Sequence, residues 1–236
     1  MLADPLRWGP EVAAGRLPWQ PSVDGDVVPA RPIDRIAAGS GAGIDLIVGT
    51  NVDEGRVSLV ATGAVGRVPV EAAAGAAAAF GLPADAALAA YRAMYPDGDG
   101  GDLLAAVQTD GFWRIPALRL TDAHAGARAA TYMYEFAWRS PEFGGLLGAC
   151  HGLEIVFVFD TLDPSFPRML GPALGAAPPL QLADTMHSAW VAFAMCGDPG
   201  WPRYDLARRA TMRFDTTCEV VDDPRAAERE VWDGVL

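Results

Sequence analysis

Lysine is absent from this chain: all 18 basic residues are arginine, set against 30 acidic residues for a formal net charge of −12. That balance opposes binding to a polyanion such as DNA or to an anionic membrane face, so neither nucleic acid nor membrane is expected as a partner. Beside abundant Ala, Gly and Pro, the missing lysine reads as a GC-rich coding bias and fits a bacterial source. Cysteine is scarce too. Cys150, Cys196 and Cys218 are odd in number and lack C-x-x-C spacing, which suggests neither a disulfide framework nor a zinc site and leaves reduced, partly buried thiols. No uninterrupted apolar run approaches the length of a membrane span; the most apolar stretch, 71–90, is built of Ala and broken by Gly75, Gly81 and Pro83. The first residues show no basic region followed by an apolar one, so the expected location is cytoplasmic.

What is present supports one sizeable core. The 236 residues are 51% hydrophobic and 20% charged, a composition that excludes a disordered, collagen-like or disulfide-stapled protein. The first forty residues carry Pro5, Pro10, Pro18, Pro21, Pro29 and Pro32, which exclude continuous helix or central strand and predict an extended surface segment with a tight turn at Val23–Asp26. A short helix is predicted over Ile33–Ala38, stopped by Gly39–Gly43. That glycine stretch follows a helix and precedes a strand, the reverse of a phosphate-binding loop, and is not read as one. Ile44–Gly49 is a β-branched apolar run of the kind buried on both faces of a parallel sheet.

Further along, 71–95 predicts one or two Ala-rich helices broken near Pro83, and 102–125 another helical stretch with a kink or restart at Pro116. Thr131–Trp138 is a second strand, β-branched and aromatic. Leu180–Cys196 predicts a helix whose apolar face is Leu182, Met186, Ala189, Trp190, Phe193 and Ala194, ended by Gly197 and Pro199. A third strand is expected at Thr211–Phe214 and a closing helix over 224–232. Strands alternating with long helical segments, without internal repeats, predict an α/β architecture. The chain divides into a Pro/Gly-rich lead-in (1–43), a strand and acid loop (44–70), a helical insertion (71–130), a strand and His loop (131–160) and the C-terminal helices and strand (161–236).

Nucleophilic chemistry can be audited residue by residue, because there are only three His and six Ser. None of Ser22, Ser40, Ser58, Ser140, Ser165 or Ser188 lies in G-x-S-x-G, the strained elbow that lifts a serine hydroxyl clear of an α/β sheet toward its base and oxyanion donors. Two segments nevertheless have the character of a hydrolytic site. Gly49-Thr50-Asn51-Val52-Asp53-Glu54-Gly55 places two carboxylates just beyond a strand, where α/β proteins assemble their sites, and Glu54 is the sharper candidate. It is either a functional acid, a solvated loop acid or a helix N-terminal charge. Gly148-Ala149-Cys150-His151-Gly152-Leu153-Glu154 carries a histidine flanked by small residues, which can act as a general base from a loop or be a buried structural group bonded to Glu154 or a backbone carbonyl. His124 and His187 sit in helical patterns, where surface or packing roles are expected.

Taken in order, these segments resemble a known family. Gly49-Thr50-Asn51-x-Asp53-Glu54-Gly55, Tyr132-x-Tyr134-x-Phe136-x-Trp138, His151-Gly152-x-Glu154-x-x-Phe157-x-Phe159 and Trp190-x-x-Phe193-Ala194-x-x-Gly197-Asp198-Pro199 are similar to successive C-terminal signatures of type B carboxylesterases. Trp201-Pro202-x-Tyr204, Arg209-x-Thr211-Met212-x-Phe214 and Val220-Val221-x-Asp223-Pro224 extend the likeness, as do Val23-Asp24-Gly25 and Pro29-x-x-Pro32 before the acid. The resemblance implies the C-terminal portion of an α/β-hydrolase fold, an incomplete and mostly parallel sheet flanked by helices. It implies hydrolysis of small carboxylic esters by a Ser-acid-His triad in that chain order, with Glu54 matching the acid and His151 the base, and no metal or organic cofactor.

Members of that family are roughly twice this long, and their N-terminal half carries the first strands, the oxyanion loop and the nucleophile elbow. The resemblance therefore implies a half esterase, from a split or wrongly started reading frame, a truncated chain, or one chain of a two-chain enzyme. Such a chain is expected to be inactive alone and to have a separate N-terminal half as its partner. The rival expectation is a non-catalytic remnant or binding module of α/β-hydrolase origin.

Overall fold

The computed structural model describes residues 21–162 and 173–235. The first half of the proline-rich lead-in and Ser165 therefore lie outside the described residues. From residue 21 the chain runs without helix or strand, bending where Asp24 Oδ1 accepts the Asp26 and Val28 amides, both at 2.9 Å. Helix α1 (Pro32–Ala37) starts on a proline, whose missing amide would have had no partner in a first turn. Strand β1 (Leu46–Asn51) then leads through a turn into α2 (Arg56–Ala61), a helix the sequence pattern did not announce.

The Ala-rich stretch forms two helices, α3 (Glu71–Ala79) and α4 (Ala84–Met94), separated at Pro83 as expected. Helix α5 (Gly100–Thr109) opens with a capping box, Asp99 accepting the Asp102 amide and Asp102 the Asp99 amide. It passes into a π-helical turn, Asp110–Arg114, and then into α6 (Ile115–His124). The expected restart at Pro116 takes this form. Proline cannot donate to the carbonyl four residues earlier and its ring crowds that oxygen, so a wider turn just before it relieves the conflict.

Strands β2 (Thr131–Phe136), β3 (Ala210–Phe214) and β4 (Glu219–Asp222) complete one four-stranded sheet in the order β1-β2-β3-β4. The first three are parallel, with Leu46 opposite Thr131 and Met133 opposite Thr211; β4 runs antiparallel to β3. Helix α7 (Ile155–Val158) and helix α8 (Leu180–Cys196) fill the β2-to-β3 crossover, α8 ending at Gly197 with φ 74°, and α9 (Ala226–Val231) closes the chain. Alternate residues of β2 serve two cores. Tyr132 and Phe136 pack with Phe157, Met186, Trp201 and Phe214 under α7 and α8, while Met133 packs with Leu103, Ile115, Tyr91 and Trp232 under α3 to α6.

Three details correct the sequence reading. The strand expected at Ile44–Gly49 to be buried on both faces begins at Leu46, runs on to Asn51 and is mostly half-buried, with Ile44 outside it and exposed. In the described residues β1 pairs on one edge only, with β2; β2 is the strand buried on both faces. On α8, Ala183 is buried and Ala194 is exposed, because the helix meets its core nearer its start. The short strand β4 escaped detection because its residues are largely exposed at the sheet edge and carry no alternating pattern.

A buried ionic cluster ties α9 to the π turn. Asp110 Oδ1 accepts Arg114 Nε at 2.6 Å and faces Arg225 Nη2 at 3.5 Å; its other oxygen accepts the Tyr91 hydroxyl, which in turn accepts Trp232 Nε1 at 2.8 Å. Burial alone would raise the Asp110 pKa, but Arg114 and Arg225 hold it below the ordinary carboxylate value. Arg225 also reaches Glu228 at 3.2 Å and the Tyr95 hydroxyl at 3.1 Å. Replacing Arg225 with Met should leave Asp110, Glu135 and Glu228 each short of a partner and cost on the order of 3 kcal/mol. A urea midpoint equal to that of the unaltered chain would show that the cluster contributes nothing.

Candidate active site

The carboxyl ends of β1 and β2 are adjacent, and the turn after β1 packs against the loop after β2. Glu54 lies in that turn and is only 5% exposed, an unfavourable place for a carboxylate unless both oxygens are satisfied. They are. Oε1 accepts the Asn51 backbone amide at 2.8 Å, and Oε2 meets His151 Nδ1 at 2.6 Å. The two candidate residues, 97 positions apart, are thus brought into direct contact. With Nδ1–H donating to a carboxylate, Nε2 is the nitrogen left on the opposite side of the ring to accept a proton.

Neighbouring Asp53 does different work. Its amide donates to the Ala149 carbonyl at 3.0 Å, its Oδ2 accepts the Ala149 amide and Arg139 Nη1, both at 2.9 Å, and its Oδ1 accepts Arg56 Nε at 3.0 Å. The acid turn is thereby clamped to the histidine loop two residues before His151. The clamp needs Gly148, whose φ is +60° and whose missing Cβ would lie 2.2 Å from Asp53 Oδ2. From the far side, the Gly55 amide donates to Thr109 Oγ1 at 3.0 Å, anchoring the turn to α5.

His151 has a half-exposed side chain and rests against Trp113 of the π turn, ring centroids 5.3 Å apart at 43°. Nothing in the sequence pattern marked Trp113, because its position depends on the extra residue of the π turn. Glu154, considered from sequence as a partner for His151, instead accepts Asn51 Nδ2, which also donates to the Cys150 carbonyl at 2.7 Å. The Glu54 hydrogen bond raises the His151 pKa above its ordinary value, aided by the charges of Glu54 and Glu154 and opposed by partial burial. Burial pushes the Glu154 carboxyl upward against the Asn51 hydrogen bond, and pushes the Cys150 thiol up to about 11, which keeps that thiol protonated and inert near neutrality.

The other histidines lie elsewhere: His124 is buried against Thr131 Oγ1 at 2.7 Å, and His187 is on the surface with Nδ1 at 3.0 Å from the Val158 carbonyl. The Ser140 hydroxyl donates to the Ala173 carbonyl at 2.6 Å and that of Ser58 to Gly55, so neither faces the imidazole. Among the described residues, no group of three or more His, Cys, Asp or Glu converges as a metal ion would require, and no helix is long and apolar enough to cross a membrane.

Comparison with known proteins identifies the family and the fold. The model of the carboxylesterase family matches residues 7–232. The chain belongs to that family. It is 31% identical to the para-nitrobenzyl esterase of Bacillus subtilis over 97% of its own length and 46% of the relative's, and 33% identical to the fumonisin B1 esterase of Sphingopyxis macrogoltabida over 80% of its length and 35% of the relative's. The crystal structure of a Geobacillus stearothermophilus carboxylesterase superposes with a TM-score of 0.77 at 27% identity, covering 96% of this chain and 47% of that one. The fold is that of the α/β-hydrolases. This carboxylesterase-family chain spans less than half the length of these relatives.

Two outcomes follow from the geometry. The His151 pKa is raised in the folded state, so the stability gained from its pairing is full below the unfolded value of about 6.5 and is lost as pH rises through the folded value. Titration by NMR should place His151 above that value, and Glu54→Gln should lower it; an unshifted His151 would contradict the pairing. Gly148→Ala should break the Asp53 clamp and cost about 1–3 kcal/mol in denaturant unfolding. An unchanged midpoint would show that the loop adapts freely.

Proposed function

We propose that this chain supplies the acid and base of a Ser-Glu-His carboxylesterase, with Glu54 as acid and His151 as base. The observation that carries the reading is the 2.6 Å contact between Glu54 Oε2 and His151 Nδ1 at the carboxyl ends of adjacent parallel strands, within a carboxylesterase-family fold. The substrates are small carboxylic esters, as the names of the relatives suggest. The catalytic serine and the oxyanion donors come from a complementary N-terminal half, whether a separate chain or a preceding segment. Two features support that division: no serine of the chain lies in an elbow motif, and β1 pairs on one edge only among the described residues.

In the assembled site, His151 Nε2 takes the serine proton as the serine oxygen attacks the ester carbonyl, and Glu54 stabilises the imidazolium that forms. The same imidazolium protonates the departing alcohol, leaving an acyl-serine. Water then repeats the sequence and frees the acid. Trp113, beside the imidazole, makes one wall of the site apolar and limits water around the Glu54–His151 bond.

The isolated chain should not hydrolyse p-nitrophenyl acetate above a denatured control, nor be labelled by a fluorophosphonate. Mixing or co-expression with an N-terminal esterase half bearing G-x-S-x-G should restore turnover, and His151→Ala in that assembly should remove it by at least about 10³-fold, with Glu54→Gln strongly impaired. Stoichiometric labelling of a serine in the isolated chain would place the nucleophile here and refute the division. An assembly that labels at its serine yet ignores His151→Ala would favour a non-catalytic role for this chain.

A further inference from the structure

Asn51 is the chain's only asparagine, it is 1% exposed, and its position joins both halves of the proposed dyad. Its backbone amide holds Glu54 Oε1 at 2.8 Å. Its side-chain nitrogen reaches across to the histidine loop, donating to the carbonyl of Cys150, the residue before His151, at 2.7 Å and to the Glu154 carboxylate. The amide orientation is dictated by these partners, since a flipped amide would point its oxygen at a carbonyl and a carboxylate. The oxygen that results, Oδ1, is buried without a hydrogen-bond partner. A buried acceptor without a partner is unfavourable, so packing alone does not account for an asparagine at this position.

We infer that Asn51 is a positioning residue: it fixes the Glu54–His151 pair by tying the end of the acid strand to the backbone of the base loop, with Glu154 as the second anchor of its side chain. The inference rests on the proposed acid–base reading. A second strap, the Asp53 clamp, holds the same loop at Ala149. The Asn51 tie acts one residue nearer the reacting end, next to His151 itself, and sets the angle at which the imidazole meets the carboxylate. Glu154 adds a charge near the imidazole, but its bond to Asn51 needs only an acceptor oxygen.

The test is read by NMR on the full chain, through the low-field Nδ1–H resonance of His151 and its titration. Asn51→Ala should leave the amide spectrum of the two cores intact, abolish the low-field resonance and return the His151 pKa toward about 6.5. Asn51→Leu, close in size but without the donor and without a new charge, should do the same and decides the matter if the alanine variant does not fold. Glu154→Gln, which keeps an acceptor for Asn51, should retain the resonance while the titration moves down. Both Asn51 variants keeping the resonance and titration of the unaltered chain would overturn the inference and leave the dyad standing. An unaltered chain with no such resonance, and a titration indifferent to Glu54→Gln, would instead remove the dyad and the inference together.

Discussion

The arrangement depends on one buried carboxylate. Glu54 is withdrawn from water at the end of the sheet, and a lone ionised acid there would cost several kcal/mol. Its two hydrogen bonds meet that cost from opposite sides, one from the strand it follows and one from a loop nearly a hundred residues on. Because His151 satisfies a demand that Glu54 creates, the contact stabilises local structure and at the same time sets the tautomer a general base requires. Structure and chemistry here are the same hydrogen bond.

The helical layer on the other face of the sheet contributes through its irregularity. Pro116 cannot continue the α5 hydrogen-bond ladder, and the π turn that admits it rotates 110–114 relative to the helix on either side. Asp110 and Arg114 then face inward to Tyr91 and Arg225, and Trp113 faces His151. A buried ion cluster is weak evidence for stability in general, but here it fixes the register of the turn that presents an aromatic ring to the proposed site.

How much of this was legible in the sequence varies with the range of the interaction. The bounds of helix α8 were readable, because 3.6-residue periodicity and the Gly197 stop are local signals, while its buried face lies nearer the helix start than the pattern indicated. Glu54 and His151 were readable as loop residues beyond apolar runs, and the family resemblance paired them; no spacing rule could have shown that Nδ1 rather than Nε2 meets the acid. Asn51 was part of the same motif, yet its role lies in a carbonyl 99 residues away. The burial of Ile44–Gly49 was misjudged for a physical reason: an apolar run records how a strand is covered in its complete sheet, and β1 pairs on one edge only among the described residues.

The single paired edge of β1 does not leave the proposed acid and base unsupported. The partners of Glu54, Asp53, Asn51 and His151 described above, namely Ala149, Cys150, Glu154, Arg56, Arg139 and Trp113, all belong to this chain. The proposed acid and base are therefore held by hydrogen bonds that do not cross the edge of β1 that is unpaired among the described residues. What crosses that edge in the proposed assembly is the approach of a serine hydroxyl to Nε2, a contact that needs the imidazole already oriented. Preorganisation of this kind lets binding of a complementary half be spent on docking strands and not on building the dyad, since the orientation that catalysis needs is enforced before the partner arrives.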